Sequence, residues 1–347
     1  MSSPDTEREV VPEPPHPRQT MDFFGHAEAE QALLENYRSG RAAHAWLIGG
    51  PAGIGKATLA YRMARFVLAH RNPGASAVQA AKSLALDAGH PVARRVAAQA
   101  HSDLLVLERT IGDTGKMRTE IAVDDVRRTI TFFGSTAGEG GWRVCIVDSA
   151  DELNRFGANA LLKILEEPPS NCLLIVVSHA PSRLLPTIRS RCRKLMLRPL
   201  AQTEVIQAAA AALGRDVADD ELRRASLIAE GSVARCIGLA GGPLADVRER
   251  SLALLAQLPA VDARALHAFG DSLERTPDAV FETFLDTARD WLSARIKAET
   301  GDLRRLARVA EVWEKLNRAA QEVEVFNLER KPMVFAVFGL LAETVRR

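Results

Sequence analysis

The sequence predicts an α/β fold, a parallel sheet with helices on both faces, followed by helical sequence to the C-terminus. Three observations carry this. From Met21 to about Pro199, short apolar runs alternate with segments of helical periodicity. One run, Ala45-Trp46-Leu47-Ile48, feeds a glycine-rich stretch that opens into a helix. After Pro199 the strand signal stops.

The elements follow in order. Residues 1–20 hold Pro4, Pro12, Pro14, Pro15 and Pro17 among acids and bases, and read as a disordered tail. Ala27 to Tyr37 is a helix, and Ala57 to Ala69 is the helix after the glycine-rich loop. Residues 71–100 are Ala-rich and receive no assignment. Leu104 to Leu107 is a strand, and Val123 to Phe133 an amphipathic helix with Asp124 and Asp125 favourable in its first turn. Arg143 to Asp148 and Leu173 to Ser178 are buried strands. Between them lies a helix, Ala158 to Glu167, stopped by Pro168-Pro169. Residues 200–240 form a small helical unit, ended by the breaker Gly241-Gly242-Pro243. Thr276 can cap a further helix, with Pro277 at its first position. Phe281, Phe284, Leu285, Ala288, Trp291 and Leu292 share one face of it. Val334, Val337, Phe338, Leu341 and Val345 do so on a last helix.

Composition excludes several classes. Lys plus Arg is 45 and Asp plus Glu is 44, so a polyanion would need a local patch. Aromatics are 5%, too few for a single-strand stacking platform. Cys145, Cys172, Cys192 and Cys236 have neither zinc nor disulfide spacing, and suit buried, reduced thiols in a cytoplasm. No run of about 18 apolar residues or signal peptide is present, so no membrane association is expected.

Residues 50–57 read Gly-Pro-Ala-Gly-Ile-Gly-Lys-Ala, a phosphate-binding loop. The expected nucleotide-binding set is Gly50, Gly53, Ile54, Gly55, Lys56, Ala57, Thr58 and Asp148. The amides from Gly53 to Lys56 would wrap phosphates, and Lys56 would neutralise β/γ charge. Ala57 stands where a Ser or Thr hydroxyl normally holds Mg²⁺. Thr58 is a poor substitute, because one helical step rotates a side chain by about 100°. Asp148 ends its strand, but Ser149 follows where an active ATPase carries Glu, and a hydroxyl is far too weak a base to replace it. An alternative register makes Glu152, of the pair Asp151-Glu152, the general base. Arg189, Arg191, Arg193 and Lys194 form a basic cluster, either a solvated patch or the setting of an arginine finger.

Two stretches carry a resemblance. One is residues 44–64. The other is 143–199, with Leu161-Leu162-Lys163-Ile164-Leu165-Glu166-Glu167-Pro168-Pro169 followed by Ser190-Arg191-Cys192. Together they resemble bacterial clamp-loader subunits of the AAA+ class, over about residues 21–240. Trp313 and Asn327-Leu328-Glu329-Arg330-Lys331-Pro332 extend the likeness more loosely. The chain is similar to the stator type of subunit rather than the ATP-hydrolysing gamma/tau motor: Ala57 and Ser149 replace hydrolysis residues, and Arg235 falls one place later than the motors' sensor arginine.

The resemblance implies a P-loop AAA+ domain over 21–199, a helical lid over 200–240 and a helical collar over 245–347. It implies a hetero-pentameric ring with gamma/tau and delta subunits that loads a sliding clamp on primed DNA. Arg191 would be the finger given in trans to a neighbour's ATP site. ATP or ADP would sit in the loop with little or no hydrolysis, and Mg²⁺ would be weak or absent. The four-cysteine zinc module of many relatives cannot exist here, since no cysteine precedes Cys145. The apolar faces at 277–296 and 333–345 would serve the collar interface or simply a helical core. The alternatives are a clamp-loader motor using Glu152, or an unrelated P-loop enzyme.

Overall fold

The computed structural model describes residues 15–112, 117–135, 137–274, 276–298, 303–326 and 329–345. Residues 1–14 of the expected tail, and Asn327 and Leu328, lie outside them. The chain forms two compact units, one ending at Ile237 and one beginning at Gly238.

The first unit is built on five parallel strands: β1 (Ala45–Gly49), β2 (Leu104–Leu107), β3 (Arg143–Val147), β4 (Cys172–Ser178) and β5 (Arg193–Met196), in the order β2-β3-β4-β1-β5. β1 and β4 are buried along their whole length. Alternate residues serve two apolar layers, as the two-residue period of a strand requires. Trp46, Ile48, Val144, Ile146, Ile175 and Val177 face one layer, and Leu47, Cys145, Val147, Leu174 and Val176 the other.

Helices cover both faces. α1 (Ala27–Arg38) and α2 (Lys56–Ala69) supply Leu33, Tyr37, Leu59 and Phe66 to the first layer. The unassigned segment 71–100 packs there too, with α3 (Ser76–Ala80), α4 (Pro91–Ala97) and the side chains of Val78, Leu84, Val92 and Val96. Arg71 pairs with Glu139 at 2.8 Å and Arg95 also pairs with it, while Asp103 accepts from the Gly138 and Glu139 amides at 2.8 and 3.1 Å. On the other face lie α5 (Val123–Gly134), α6 (Arg155–Glu166) and α7 (Pro186–Arg191), with Val126, Phe133, Leu161, Ile164 and Ile188 buried. Asn154 caps α6, its side chain accepting from the Gly157 amide at 2.9 Å. The helix therefore begins at Arg155, ahead of the expected Ala158.

α8 (Gln202–Leu213), α9 (Asp220–Ile228) and α10 (Val233–Leu239) follow the sheet. Residues 15–20, expected in the disordered tail, are ordered over α2. Arg65, only 1% exposed, donates to the Arg18 and Thr20 carbonyls at 3.2 and 2.8 Å, and Arg62 donates to the Met21 carbonyl at 2.7 Å. The local composition that suggests disorder is overridden by this tertiary grip.

The second unit packs α11 (Pro243–Leu255), α12 (Ala263–Leu273), α13 (Asp278–Ala298), α14 (Leu303–Phe326) and α15 (Arg330–Val345) around one apolar core. Phe281, Phe284, Leu285, Ala288 and Leu292 are buried in it, against Val334, Val337, Phe338 and Leu341. These two faces are thus the unit's own core and not a free interface. α13 begins at Asp278, two places after Thr276, whose hydroxyl donates to the Leu273 carbonyl at 2.9 Å.

Candidate nucleotide site

The phosphate loop leaves β1 between its two neighbours, β4 and β5, at the C-terminal edge of the sheet, where open parallel sheets hold their ligands. Gly53 and Gly55 take φ of +74° and +95°, a region costly for other residues, and so turn the chain into α2. Gly50 is buried and does not line the cleft. A Cβ there would come 2.6 Å from the Leu197 carbonyl, so this glycine serves close packing on the exit from β5.

Gly53, Ile54, Gly55, Lys56, Ala57, Thr58 and Asp148 line a cleft of about 970 Å³ with residues of the N-terminal strap, 15–24, and of helices α8 and α10. Lys56 is 3% exposed and donates to the Pro51 carbonyl of its own loop. Burial pulls its ammonium down to about 8, against the raising influence of Asp151 and Asp148. Asp148 directly follows β3, and its amide donates to the Leu107 carbonyl at 2.8 Å. Burial, with Glu108 nearby, raises its carboxyl, while Lys56 opposes the shift.

The loop is held from both sides through its carbonyls. Val233 and Ala234 at the start of α10 donate to the Gly53 carbonyl at 2.9 and 3.3 Å. Ser232 takes the next free amide, that of Arg235, on its hydroxyl at 3.3 Å. His26, whose pKa burial lowers, lies 3.0 Å through Nε2 from the Ile54 carbonyl and must donate there. Arg235 is absent from the cleft lining and pairs with Glu230 at 3.2 Å.

The hydrolysis positions are occupied by other contacts. Ser149, at φ +63°, places Oγ 3.0 Å from His179 Nε2. Burial and then Lys56 lower the His179 pKa, so this pair is neutral near pH 7. Asp151 accepts from Ser178 Oγ at 2.8 Å and from the amides of His179 and Ala180, tying a 3-10 turn (Ala150–Glu152) to the end of β4. Glu152 pairs with Arg109 at 2.9 Å. The strand-end acid is therefore Asp148, and the alternative register leaves both of its carboxylates committed elsewhere. His179 carries no motif, although a polar residue immediately past a buried parallel strand is a usable signal.

Arg191 does not join this cluster. It ends α7, 36% exposed, with Nη2 2.9 Å from a Glu166 carboxylate oxygen and Nη1 donating to the Thr187 carbonyl at 3.2 Å. The neighbouring Arg193 opens β5 and lies 4.9 Å above the Trp46 ring, so half of the basic cluster is an edge strand. Among the described residues, no group of three or more His, Cys, Asp or Glu side chains could hold a metal ion. The loop glycines, amides and Lys56 fit phosphates. The Ala57 methyl gives Mg²⁺ no ligand.

A central phosphate loop, strands in this order and a following helix bonded to that loop define a P-loop module of the AAA+ class. The family model described as "DNA polymerase III, delta subunit" matches residues 25–201, just over half of the chain, and the chain belongs to this family. A DNA polymerase III subunit delta' of Pseudomonas aeruginosa is 42% identical over 164 residues, 47% of this chain and 46% of that protein. The subunit delta' of Escherichia coli is 31% identical over 221 residues, 63% and 61% of the two chains. A gamma/tau subunit of Mycobacterium tuberculosis is 34% identical over 177 residues, 50% of this chain and 28% of that protein. The chain thus spans about half the length of the delta' relatives it matches.

Proposed function

We propose that the chain is a delta'-type stator of a bacterial clamp loader, with a nucleotide site that does not turn over. One observation carries this. The position after Asp148 is Ser149, bonded to His179 at 3.0 Å, while the nearby carboxylates Asp151 and Glu152 are engaged by other partners. Neither Asp151 nor Glu152 is thereby left to activate water, and Ala57 offers no hydroxyl to a metal.

In this reading the retained loop holds ATP or ADP as a fixed strut. Arg191, exposed on α7, exchanges Glu166 for the nucleotide of a neighbouring motor subunit. The partners are gamma/tau and delta subunits in a hetero-pentameric ring that places a sliding clamp on primed DNA in the cytoplasm. The helical unit beyond Gly238 supplies the collar. Among the described residues no helix is long and apolar enough to cross a membrane.

The test measures ATP turnover by the chain alone and with motor and delta subunits, wild type against Arg191→Ala. Silence alone, and a loss of about 10³-fold or more in the variant mixture with assembly intact, is the expected result. Unchanged turnover in that mixture would remove Arg191 from the role. The motor reading has the gamma/tau similarity in its favour. It requires turnover by the chain alone that Glu152→Gln abolishes.

A further inference from the structure

The distal end of the cleft is poor in positive charge. Among the described lining residues, Lys56 is the only lysine or arginine. The lid presents Val233 and Ala234 to the cleft, and Arg235 is held outside it by Glu230. Beside Lys56 stand Asp148 and Asp151, both close enough to influence its charge, and the uncharged Ser149–His179 pair. Loop amides and one lysine suffice for two phosphates. A third phosphate would bring further negative charge toward Asp148 with no new cation to receive it and, at Ala57, no hydroxyl to hold Mg²⁺.

We propose that this cleft binds a nucleoside diphosphate in preference to a triphosphate, and without a divalent cation, with the Ser149–His179 pair closing its distal end. This rests on the loop being a nucleotide site, as proposed above. The site then acts as a permanent strut rather than a switch, because no γ-phosphate is gained or lost.

Calorimetric titration of the full chain with ADP and with ATP, each in excess EDTA and in Mg²⁺, tests it. ADP should bind about tenfold or more tighter than ATP in EDTA, the factor expected from one uncompensated charge in a half-buried site. Mg²⁺ should leave ADP affinity within about threefold, since Ala57 offers the metal no hydroxyl beside the phosphates. His179→Lys puts a cation at the distal end and should bring the ADP-to-ATP ratio toward one. Ala57→Thr, a second variant that leaves the loop otherwise intact, should introduce a Mg²⁺ dependence. Equal or tighter ATP binding by the wild type, or a Mg²⁺ requirement for ADP, would overturn the proposal. Binding of neither nucleotide by a chain that still joins the ring would also overturn it and leave the stator reading standing. ATP hydrolysis by the chain alone would instead bring down the stator reading itself.

Discussion

The amide of Val233 donates to the carbonyl of Gly53 at 2.9 Å, so the first turn of α10 is bonded directly to the phosphate loop. Any movement of α10 is therefore felt directly at the phosphate loop.

Gly53→Ala should break this junction. The added Cβ would lie 2.2 Å from Ser232 Oγ, in a residue already at φ +74°. Overpacking and left-handed strain together should cost about 2 kcal/mol or more. Thermal melting and nucleotide titration should both show the loss. Wild-type nucleotide affinity in a variant of wild-type stability would mean that the contact between α10 and the loop is dispensable.

Asp151 and Glu152 should behave in opposite ways despite adjacency. Asp151→Ala strips acceptors from Ser178 Oγ and two amides, and should cost about 2–3 kcal/mol in urea denaturation. Glu152→Gln loosens a partly exposed pair with Arg109 and should stay within about 0.5 kcal/mol. The reverse ranking would show that the 3-10 turn is not fastened to β4 through Asp151.

Lys56 makes stability depend on pH in a defined direction. Its folded-state pKa of about 8 lies below the ordinary lysine value of 10.5. Between those pH values the unfolded chain binds more protons, so this group makes stability rise with pH there, and its full penalty is present below about 8. Lys56→Met should therefore raise the melting temperature at pH 7, and the gain should shrink by pH 9.5. A gain that is constant with pH would mean that the buried charge is not its source.

All four cysteines are buried and free. Burial pushes the thiols up, to about 11 for Cys172 and Cys236 and about 12 for Cys192, with Cys145 shifted the same way. A thiol reagent should find no fast-reacting group in the native chain and all four in denaturant. One rapid native thiol would place a cysteine at the surface.

The central strands are legible from sequence because both of their faces are buried, which leaves uninterrupted apolar runs such as Cys172–Ser178. β5 is not, since as an edge strand it spells Arg-Lys-Leu-Met and reads as surface charge. Segment 71–100 is opaque for a different reason. Its backbone is held by distant side chains: Glu30 accepts from the Leu84 amide at 2.9 Å, and Arg38 donates to the Val78 carbonyl at 3.2 Å. The phosphate loop, Lys56 and Asp148 are recognisable because their roles depend on local spacing. His179, His26 and the Val233 amide belong to the same site through long-range contacts, which leave no local pattern.

Arg65 grips residues 18 and 20 by their main-chain oxygens. Every amino acid carries that oxygen, proline included, so these two grips do not depend on which side chains stand at 18 and 20. The strap's course is written in the helix beneath it, and a search for relatives that weighs only the strap's own letters would pass it over.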